Sequence, residues 1–414
     1  MNQHITTDIA VIGAGVIGLT IALRLAHDGH DVSLIDPNDP GSGASFGNAG
    51  TIADYAVMPV GSPEVLRNLP ALLFDRNSPL SIHRAALPTL APWLMRFARQ
   101  PLPGAARRNA AALAALLADA APAWTELATE IGGAAILQRR GCLYAYDSER
   151  AGRAARTDMA FRRSLGVTVD LVDAAALAAM EPGLPAMPGG GAFFPKAVFL
   201  SDPGAMMALL AAAAARAGAQ TWRFRVDRLE RAVDGVILHG TGYRLHARRV
   251  VIAAGAHSRD LARQAGDRVP LDTERGYHVE WDMPAPLLTR PTCLTARGFY
   301  LCPMTGRLRA AGTVELGGLT APASEHRLRR LTDGARAIFP DLGPPSRSWM
   351  GFRPSIPDSL PVIGPSPGGP EVIHAYGHGH IGLTLAPVTA RIVADLIARR
   401  RADLPLASYS VTRF

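Results

Sequence analysis

The sequence predicts an α/β protein in which a doubly wound, largely parallel sheet is interleaved with an antiparallel sheet. Three observations carry that prediction. A strand, a glycine turn and an apolar helix follow one another within residues 8–28. Two more apolar strands of the same kind, 249–254 and 372–376, lie far downstream, and a glycine follows each. Between those two, residues 270–318 alternate as antiparallel strands do.

Taken in order, residues 8–13 read as a buried strand because Ile9, Ala10, Val11 and Ile12 are apolar on both faces. A helix over 16–28 and a second strand over 31–35 complete a βαβ unit. A loop rich in glycine, serine and asparagine spans 41–50. The stretch 59–103 is broken by prolines at 59, 63, 70, 79, 88, 92, 101 and 103. Residues 105–131 read as one long helix, and turns follow across 177–191. Asp202 and Pro203 supply an N-cap and a first-turn proline for a helix over 202–218. Strand-like runs at 221–229, 235–239 and 243–245 precede the buried strand 249–254. In the alternating region Tyr277, Val279 and Trp281 share one face. A helix over 324–339, the strand 372–376, a glycine–histidine loop and a helix over 382–400 close the chain.

The parallel elements thus lie at the start, middle and end, with antiparallel material between them. The implied division is 1–60, 185–268 and 350–414 in one domain, and 61–184 and 269–349 in the other. A chain of 414 residues accommodates two or three units of about 150 residues each. Apolar residues make up 48% and charged residues 19%, and the 41 glycines and 33 prolines are dispersed, so the chain has an ordered globular composition. The net charge of +8 comes from scattered arginines, Lys196 being the only lysine. No groove-reading motif accompanies the charge, which argues against a nucleic-acid partner and leaves room for peripheral contact with an anionic membrane surface. Cys142, Cys293 and Cys302 form no CxxC pair, so neither a disulfide framework nor a structural zinc site is expected. Residues 1–7 are polar and carry no secretory signal; the expected location is cytoplasmic, at most peripheral on the inner membrane.

Gly13-Ala14-Gly15-Val16-Ile17-Gly18 is a G-x-G-x-x-G fingerprint placed between a strand and a helix. Gly13 serves the turn, Gly15 lets a pyrophosphate approach the backbone, and Gly18 lets helix and strand pack closely. Asp36 ends the second strand, where a carboxylate would accept hydrogen bonds from ribose hydroxyls. The fingerprint alone leaves NAD and FAD both open.

Four segments carry a resemblance that decides between them. They are the fingerprint, the loop 43–50 (GASFGNAG), the strand and turn 250–258 (VVIAAGAHS), and the pair 351–365 (GFRPSIPDSLPVIGP) and 376–387 (YGHGHIGLTLAP). Together they resemble the D-amino acid oxidase/dehydrogenase family of FAD enzymes along essentially the whole chain, closest to the bacterial D-amino acid dehydrogenases and their hydroxyproline-catabolic relatives. The resemblance implies a Rossmann-like FAD-binding domain and an antiparallel substrate domain. Ser45, Asn48, Ala49 and Gly50 match the loop beside the flavin, and Ala254 and Gly255 match the turn near the adenine-side phosphates. Gly377, His378, Gly379, His380, Ile381, Gly382, Leu383 and Thr384 match the loop and helix start facing the flavin. Glycines there let backbone lie against a flat ring, and the helix start favours negative charge on it.

Arg353 matches the GxRP arginine that holds a substrate carboxylate, a task suited to a planar guanidinium fork; the plain alternative pairs it with an acid such as Asp358. Arg275, Tyr277, Tyr300 and Tyr55 are the other expected substrate-binding residues, with no residue assigned as a catalytic acid or base. The implied reaction is hydride transfer from the α-carbon of a small D-amino or D-imino acid, of D-proline or D-hydroxyproline type, to flavin N5. The electron acceptor would be a quinone or respiratory carrier. A sarcosine- or glycine-type oxidase using oxygen, an NAD-dependent dehydrogenase and a non-catalytic subunit of an amine dehydrogenase complex are the alternatives. The FAD is expected to be non-covalent, because residues 346–352 contain no cysteine; Cys293 and Cys302 read as core thiols. His374, His378 and His380 could be metal ligands by spacing, but no nearby carboxylate completes a site. Lys196 has no motif that would make it a Schiff-base lysine.

Overall fold

The computed structural model describes residues 3–61 and 80–414. The prolines at 63, 70 and 79, expected to break an irregular stretch, lie outside the described residues.

An eight-stranded sheet is built around the strand Gln3–Ile12. Val32–Ile35 and Tyr243–Ile252 flank it in parallel. Gly369–Tyr376 pairs in parallel with the end of Tyr243–Ile252, and Val362–Ser366 returns antiparallel beside it. Ile9 and Val11 point into a core shared with the helices Val16–His27, Pro203–Arg216 and Gly382–Ile397, whereas Ala10 and Ile12 point into a second core that includes Leu261 and Ala262. Both faces are covered, which is why these strands are apolar at every position rather than alternately. The helix at Pro203 starts as expected, with the Asp202 side chain accepting from Ala205 N at 3.0 Å.

A nine-stranded sheet forms the other half. Its path runs Arg347–Ser355, Asp272–Asp282, Arg307–Leu316, Phe299–Met304, Thr292–Leu294, Cys142–Ala145, Gly191–Phe194 and Asp170–Val172. Most neighbours are antiparallel, but Thr292–Leu294 and Cys142–Ala145 run parallel. Tyr277, Val279 and Trp281 do share a face, packed with Phe299, Leu301 and Leu308 under the helix Glu325–Arg336. The opposite face looks toward the first sheet. This sheet takes in Gly191–Phe194 and Arg347–Ser355, which the sequence division places wholly or partly with the parallel domain.

Two local expectations change. The long helix over 105–131 is two helices, Pro103–Leu117 and Ala120–Glu130, with a turn at 118–119. Pro122 explains the restart: its missing N–H falls in the first turn of the second helix, where no intrahelical partner exists anyway. The run 221–229 is not one strand. Gln220–Trp222 lies at one edge of the first sheet and Arg228–Ala232 at the other, so the chain crosses over between them. Phe224 and Val226, buried along that crossing, supply the apolar alternation that mimics a strand.

Candidate active site

A cleft of about 1850 Å³ opens between the strand ends of the first sheet and the face of the second. That exceeds the ~300–1,000 Å³ usual for a small-molecule pocket and suits a long ligand with a second molecule beside it.

At the first sheet, the fingerprint turn is held by backbone contacts. Gly13 has φ +106°, and a Cβ there would meet Ala253 O at 2.5 Å; a Cβ on Gly18 would meet Gly13 O at 1.8 Å. Gly15 caps the helix Val16–His27 without a side-chain bond. Val16 N instead donates to Ser45 Oγ at 2.9 Å, and Ala14 N donates to Asp36 Oδ2 at 2.8 Å. Asp36 Oδ1 accepts from Asn38 N, so the carboxylate is fixed at the cleft edge. In the next loop Asn48 Oδ1 accepts from Gly50 N at 2.9 Å.

At the other end of the chain, His378 to Leu383 line the cleft where the helix Gly382–Ile397 begins. Trp124 Nε1 donates to Leu383 O at 2.7 Å, and Thr384 Oγ1 accepts from Ala53 N at 3.0 Å. His378 is buried against Thr389 Oγ1 at 3.0 Å, and burial lowers its pKa to about 3, so it is neutral. His374 pairs with Asp267 at 2.7 Å. Among the described residues no group of three or more His, Cys, Asp or Glu could hold a metal ion.

The second sheet offers side chains from several strands. Arg353 and Glu274 face each other across paired strands. The Arg353 guanidinium lies over Gly276, where a Cβ would meet its Nη2 at 2.5 Å, and Nη1 donates to Thr313 O at 3.2 Å. Burial lowers the Arg353 pKa from its usual value, and the Glu274 carboxylate opposes that shift. Burial likewise raises the carboxyl of Glu274. Farther across the same face stand Ala311, Tyr300, Cys293 and Tyr144, in register on successive strands. Tyr55 reaches this row from the first loop: its hydroxyl donates to Cys142 Sγ at 3.0 Å and lies 3.3 Å from Tyr300 Oη. Its ring stacks on Phe194 at 4.1 Å. Burial pushes the Tyr144 hydroxyl and the Cys293 thiol up to about 12, so both stay protonated.

Of the expected cofactor residues, Gly13, Gly15, Asp36, Ser45, Asn48, Ala49, Ala254, Gly255, His378, Gly379, His380, Ile381, Gly382 and Leu383 line the cleft. Gly18, Gly50, Gly377 and Thr384 stand behind that lining. Arg353, Tyr300, Tyr55 and Tyr277 line it too. The Tyr277 side chain, however, turns into the core on the far face, donating to Glu315 and accepting from Ser324 N at 3.1 Å. Arg275 does not reach the cleft. It is fully buried on that far face and donates to Gly318 O, Ala321 O and Pro322 O, so a substrate role for it is withdrawn. The period of the strand is the reason: the side-chain positions of Glu274 and Gly276 face the cleft, whereas the side chains of Arg275 and Tyr277 point to the opposite face. Asp358, the acid expected to compete for Arg353, is instead held by Arg413 at 2.8 Å.

Tyr144 and Glu274 carry no motif that marks them in the sequence, and Trp349 was missed as well. Trp349 stacks on His278 with centroids 5.2 Å apart, and its indole fills the space above Gly47 and Gly351. The two glycines were the available hint. Cys293 is on the cleft wall and not in the core, whereas Cys302 is fully buried.

The family model described as FAD dependent oxidoreductase matches residues 8–396. D-amino-acid oxidase of Bradyrhizobium diazoefficiens is 35% identical over 417 residues, 98% of each chain. D-amino acid dehydrogenase 2 of Ralstonia nicotianae is 30% identical over 426 residues, 98% of this chain and 100% of that one. Among solved structures, glycine oxidase from Geobacillus kaustophilus has a TM-score of 0.77 at 28% identity, covering 99% of each chain. L-proline dehydrogenase from P.horikoshii has a TM-score of 0.77 at 19% identity, a likeness of fold, over 100% of this chain and 98% of that one. The residues present fit FAD: side-chain-free backbone at Gly13 and Gly15, a fixed carboxylate at Asp36, and a cleft continuous from there to the His378–Leu383 loop.

Proposed function

The chain belongs to the family of FAD-dependent oxidoreductases, and from that premise we propose that it dehydrogenates a small D-amino or D-imino acid at its α-carbon. The observation that carries this reading is Arg353. Its guanidinium lines the cleft with one carbonyl partner, and no ion pair within 4.0 Å is formed to a carboxylate among the described residues. A buried guanidinium without a carboxylate is costly, and the substrate carboxylate is the partner it fits, through two parallel N–H···O bonds. Glu274 across the strand pair tempers the charge without occupying the fork. Tyr300 and Tyr55 close the cleft beyond it.

When bound, FAD supplies the acceptor for the hydride leaving the α-carbon. The residues that would hold it are Gly13, Gly15, Asp36, Ser45, Asn48, Ala49, Ala254 and Gly255, with the loop His378–Leu383 against its ring. Arg353 orients the substrate, and the walls of the cleft exclude water. The phenols and thiol there stay protonated at neutral pH and do not act as bases. The reacting form of the substrate is its neutral amine, the ammonium proton passing to water as the substrate enters. The D configuration is supported by the relatives named D-amino-acid oxidase and D-amino acid dehydrogenase 2, and a quinone or respiratory carrier is the electron acceptor of this reading.

The likeness to glycine oxidase favours one second reading, an oxygen-using oxidase of glycine or sarcosine. A panel of D- and L-amino acids, glycine and sarcosine, scored by bleaching of the yellow protein without oxygen, separates them. Bleaching by D-amino acids, with dye reduction outpacing hydrogen peroxide formation, is the expected result. Equal bleaching by both enantiomers, or peroxide formed at the dye rate, overturns the corresponding part. Acid precipitation should release the yellow colour into the supernatant; colour left in the pellet would mean a covalent flavin.

A further inference from the structure

We propose that the outer face of the helix Leu87–Phe97 docks on an anionic lipid bilayer. Leu87, Met95 and Leu102 enter the bilayer surface, and a rim of arginines meets the headgroups. The helix is apolar almost all round: in LPTLAPWLMRF only Thr89 and Arg96 are polar. Its inner side is satisfied. Leu90 and Trp93 are buried with Leu316 of the second sheet, Trp93 stacks on Phe97 at 5.1 Å, and Trp93 Nε1 donates to Ser355 O at 3.2 Å. Its outer side has no such cover. Leu87, Ala91 and Met95 recur every four residues along it, Pro88 and Pro92 flank them, and all five are exposed. Met95 is 63% exposed and Leu87 42%; Leu102, just beyond the helix, is 55% exposed.

Two other apolar helices treat water differently. Gly382–Ile397 has no exposed residue, and the exposed residues of Val16–His27 are the polar Arg24 and His27. A helix that is apolar on every side is ordinarily enclosed. Leu87–Phe97 is enclosed on one side only, and its anchoring through Trp93 holds the other side outward.

The charge around this face selects the partner. From residue 80 to residue 118 the chain has no Asp or Glu and carries Arg84, Arg96, Arg99, Arg107 and Arg108. The last four are exposed and form no ion pair among the described residues; Asp119, the next acid along the chain, is held by Arg391 at 2.8 Å. Asn109 Nδ2 donates to Gln100 Oε1 at 3.0 Å, which keeps Arg107 and Arg108 beside the end of the helix Leu87–Phe97. A convex apolar strip edged by unpaired cations suits the interface of an anionic bilayer, apolar side chains below the headgroups and guanidinium groups among them. A second copy of this chain suits it less, because a two-fold contact would set one arginine rim against the other. Thr89, on the flank of the same helix, lines the cleft, so docking would set the cleft beside the bilayer.

The test is co-sedimentation of the purified holoenzyme with vesicles of phosphatidylcholine, alone or with about one-third phosphatidylglycerol. It needs no turnover, so its outcome is independent of the substrate reading above. The protein should pellet with the anionic vesicles and not with the neutral ones, and high salt should weaken the binding. Met95→Asp, and separately Arg96→Glu with Arg99→Glu, should each weaken it by about tenfold or more. Bound FAD and the melting temperature without vesicles should stay parental in both. Arg150→Glu with Arg156→Glu makes the same charge change on the exposed side of the helix Glu149–Ser164 and should bind as the parent does. Met95→Trp should shift its emission to the blue on vesicle addition and be quenched by lipids brominated in the acyl chain. No binding to anionic vesicles at low salt overturns the proposal, as does binding undiminished in Met95→Asp. An equal loss in the Arg150 and Arg156 pair would make net charge the cause and overturn it too. A dimer that Met95→Asp dissociates would assign the face to a second copy instead.

Discussion

The first sheet would meet its ligand at strand ends, where a few consecutive residues make the whole contact, whereas the second sheet would meet its ligand on a broad face, with side chains drawn from several strands. Gly13 to Gly18 form one turn whose tightness is a backbone matter. Arg353, Glu274, Tyr300, Cys293 and Tyr144 are brought together only by pairing across strands. The two halves should therefore fail differently. Errors at the strand ends displace rigid backbone and should cost cofactor and fold together. Errors on the face displace a flexible side-chain end and should cost substrate alone.

The largest effect is expected at Gly18. A methyl group there would sit 1.8 Å from Gly13 O, inside a turn that cannot give without separating the helix Val16–His27 from its strand. Gly18→Ala should lower stability by about 3 kcal/mol or more, and the protein should purify colourless. A yellow Gly18→Ala protein of parental stability would break the comparison at its strongest point.

Arg353 comes next, and the loss there should be purely of substrate. Removing one partner of a desolvated charge pair costs roughly 2–5 kcal/mol, so Arg353→Ala should lower kcat/KM by ~30- to 4000-fold at ~1.4 kcal/mol per tenfold. Bound FAD should be unchanged. Arg353→Lys should recover little, since a point charge lacks the two-pronged geometry. Loss of FAD together with activity would instead make Arg353 a support of the cofactor loop.

Gly276→Ala sharpens the contrast with Gly18, because the added methyl again meets an obstacle, this time Arg353 Nη2 at 2.5 Å. The obstacle is the end of a long side chain and moves aside. FAD and stability should hold, while KM rises by about tenfold to a hundredfold, the cost of an anchor displaced by about 1 Å. An unchanged KM would place the carboxylate elsewhere in the cleft.

These differences also explain what could be read from the sequence. The fingerprint, the Asp36 position, the 43–50 loop and the GxRP arginine are contiguous motifs, so their chemistry survives in one dimension. Arg275 and Tyr277 were expected at the site because their strand lines it, yet both turn away. Strand position is legible in a run of alternating residues, but which alternate set faces the ligand depends on what covers the other face. Here the helix Glu325–Arg336 covers the Tyr277 side. Tyr144 was out of reach for a stronger reason: 156 residues separate it from Tyr300, and only the register through Cys293 joins them. The crossing at 223–227 shows the converse, an apolar alternation that marks burial without marking a strand.

The smallest effect is one of pH, and each half contributes one histidine to it. His378 lies in the loop proposed to face the cofactor and His278 on the face of the second sheet, where its Nδ1–H donates to Gly47 O at 2.9 Å and so tethers the sheet to the loop 43–50. Burial holds both neutral, lowering His378 to about 3 and His278 to about 4, the latter helped by the Arg309 charge. Unfolding returns each to about 6.5. The unfolded chain therefore binds protons that the folded one refuses, and stability complete above pH 6.5 falls as the pH drops, until about 4 for His278 and about 3 for His378. At pH 5 each residue should account for about 2 kcal/mol, the ~1.5-unit gap at 1.36 kcal/mol per unit. His278→Asn keeps a donor near the Nδ1 position and His378→Gln keeps a group near Nε2, while neither replacement titrates. Each should flatten the difference in denaturation midpoint between pH 7.5 and pH 5.0, and the acid release of FAD should slow in both, since both histidines steady loops proposed to hold the ring. If His378→Gln flattens the profile and His278→Asn does not, the tether is not part of the folded unit that binds the cofactor, and the two sheets lose their acid stability independently.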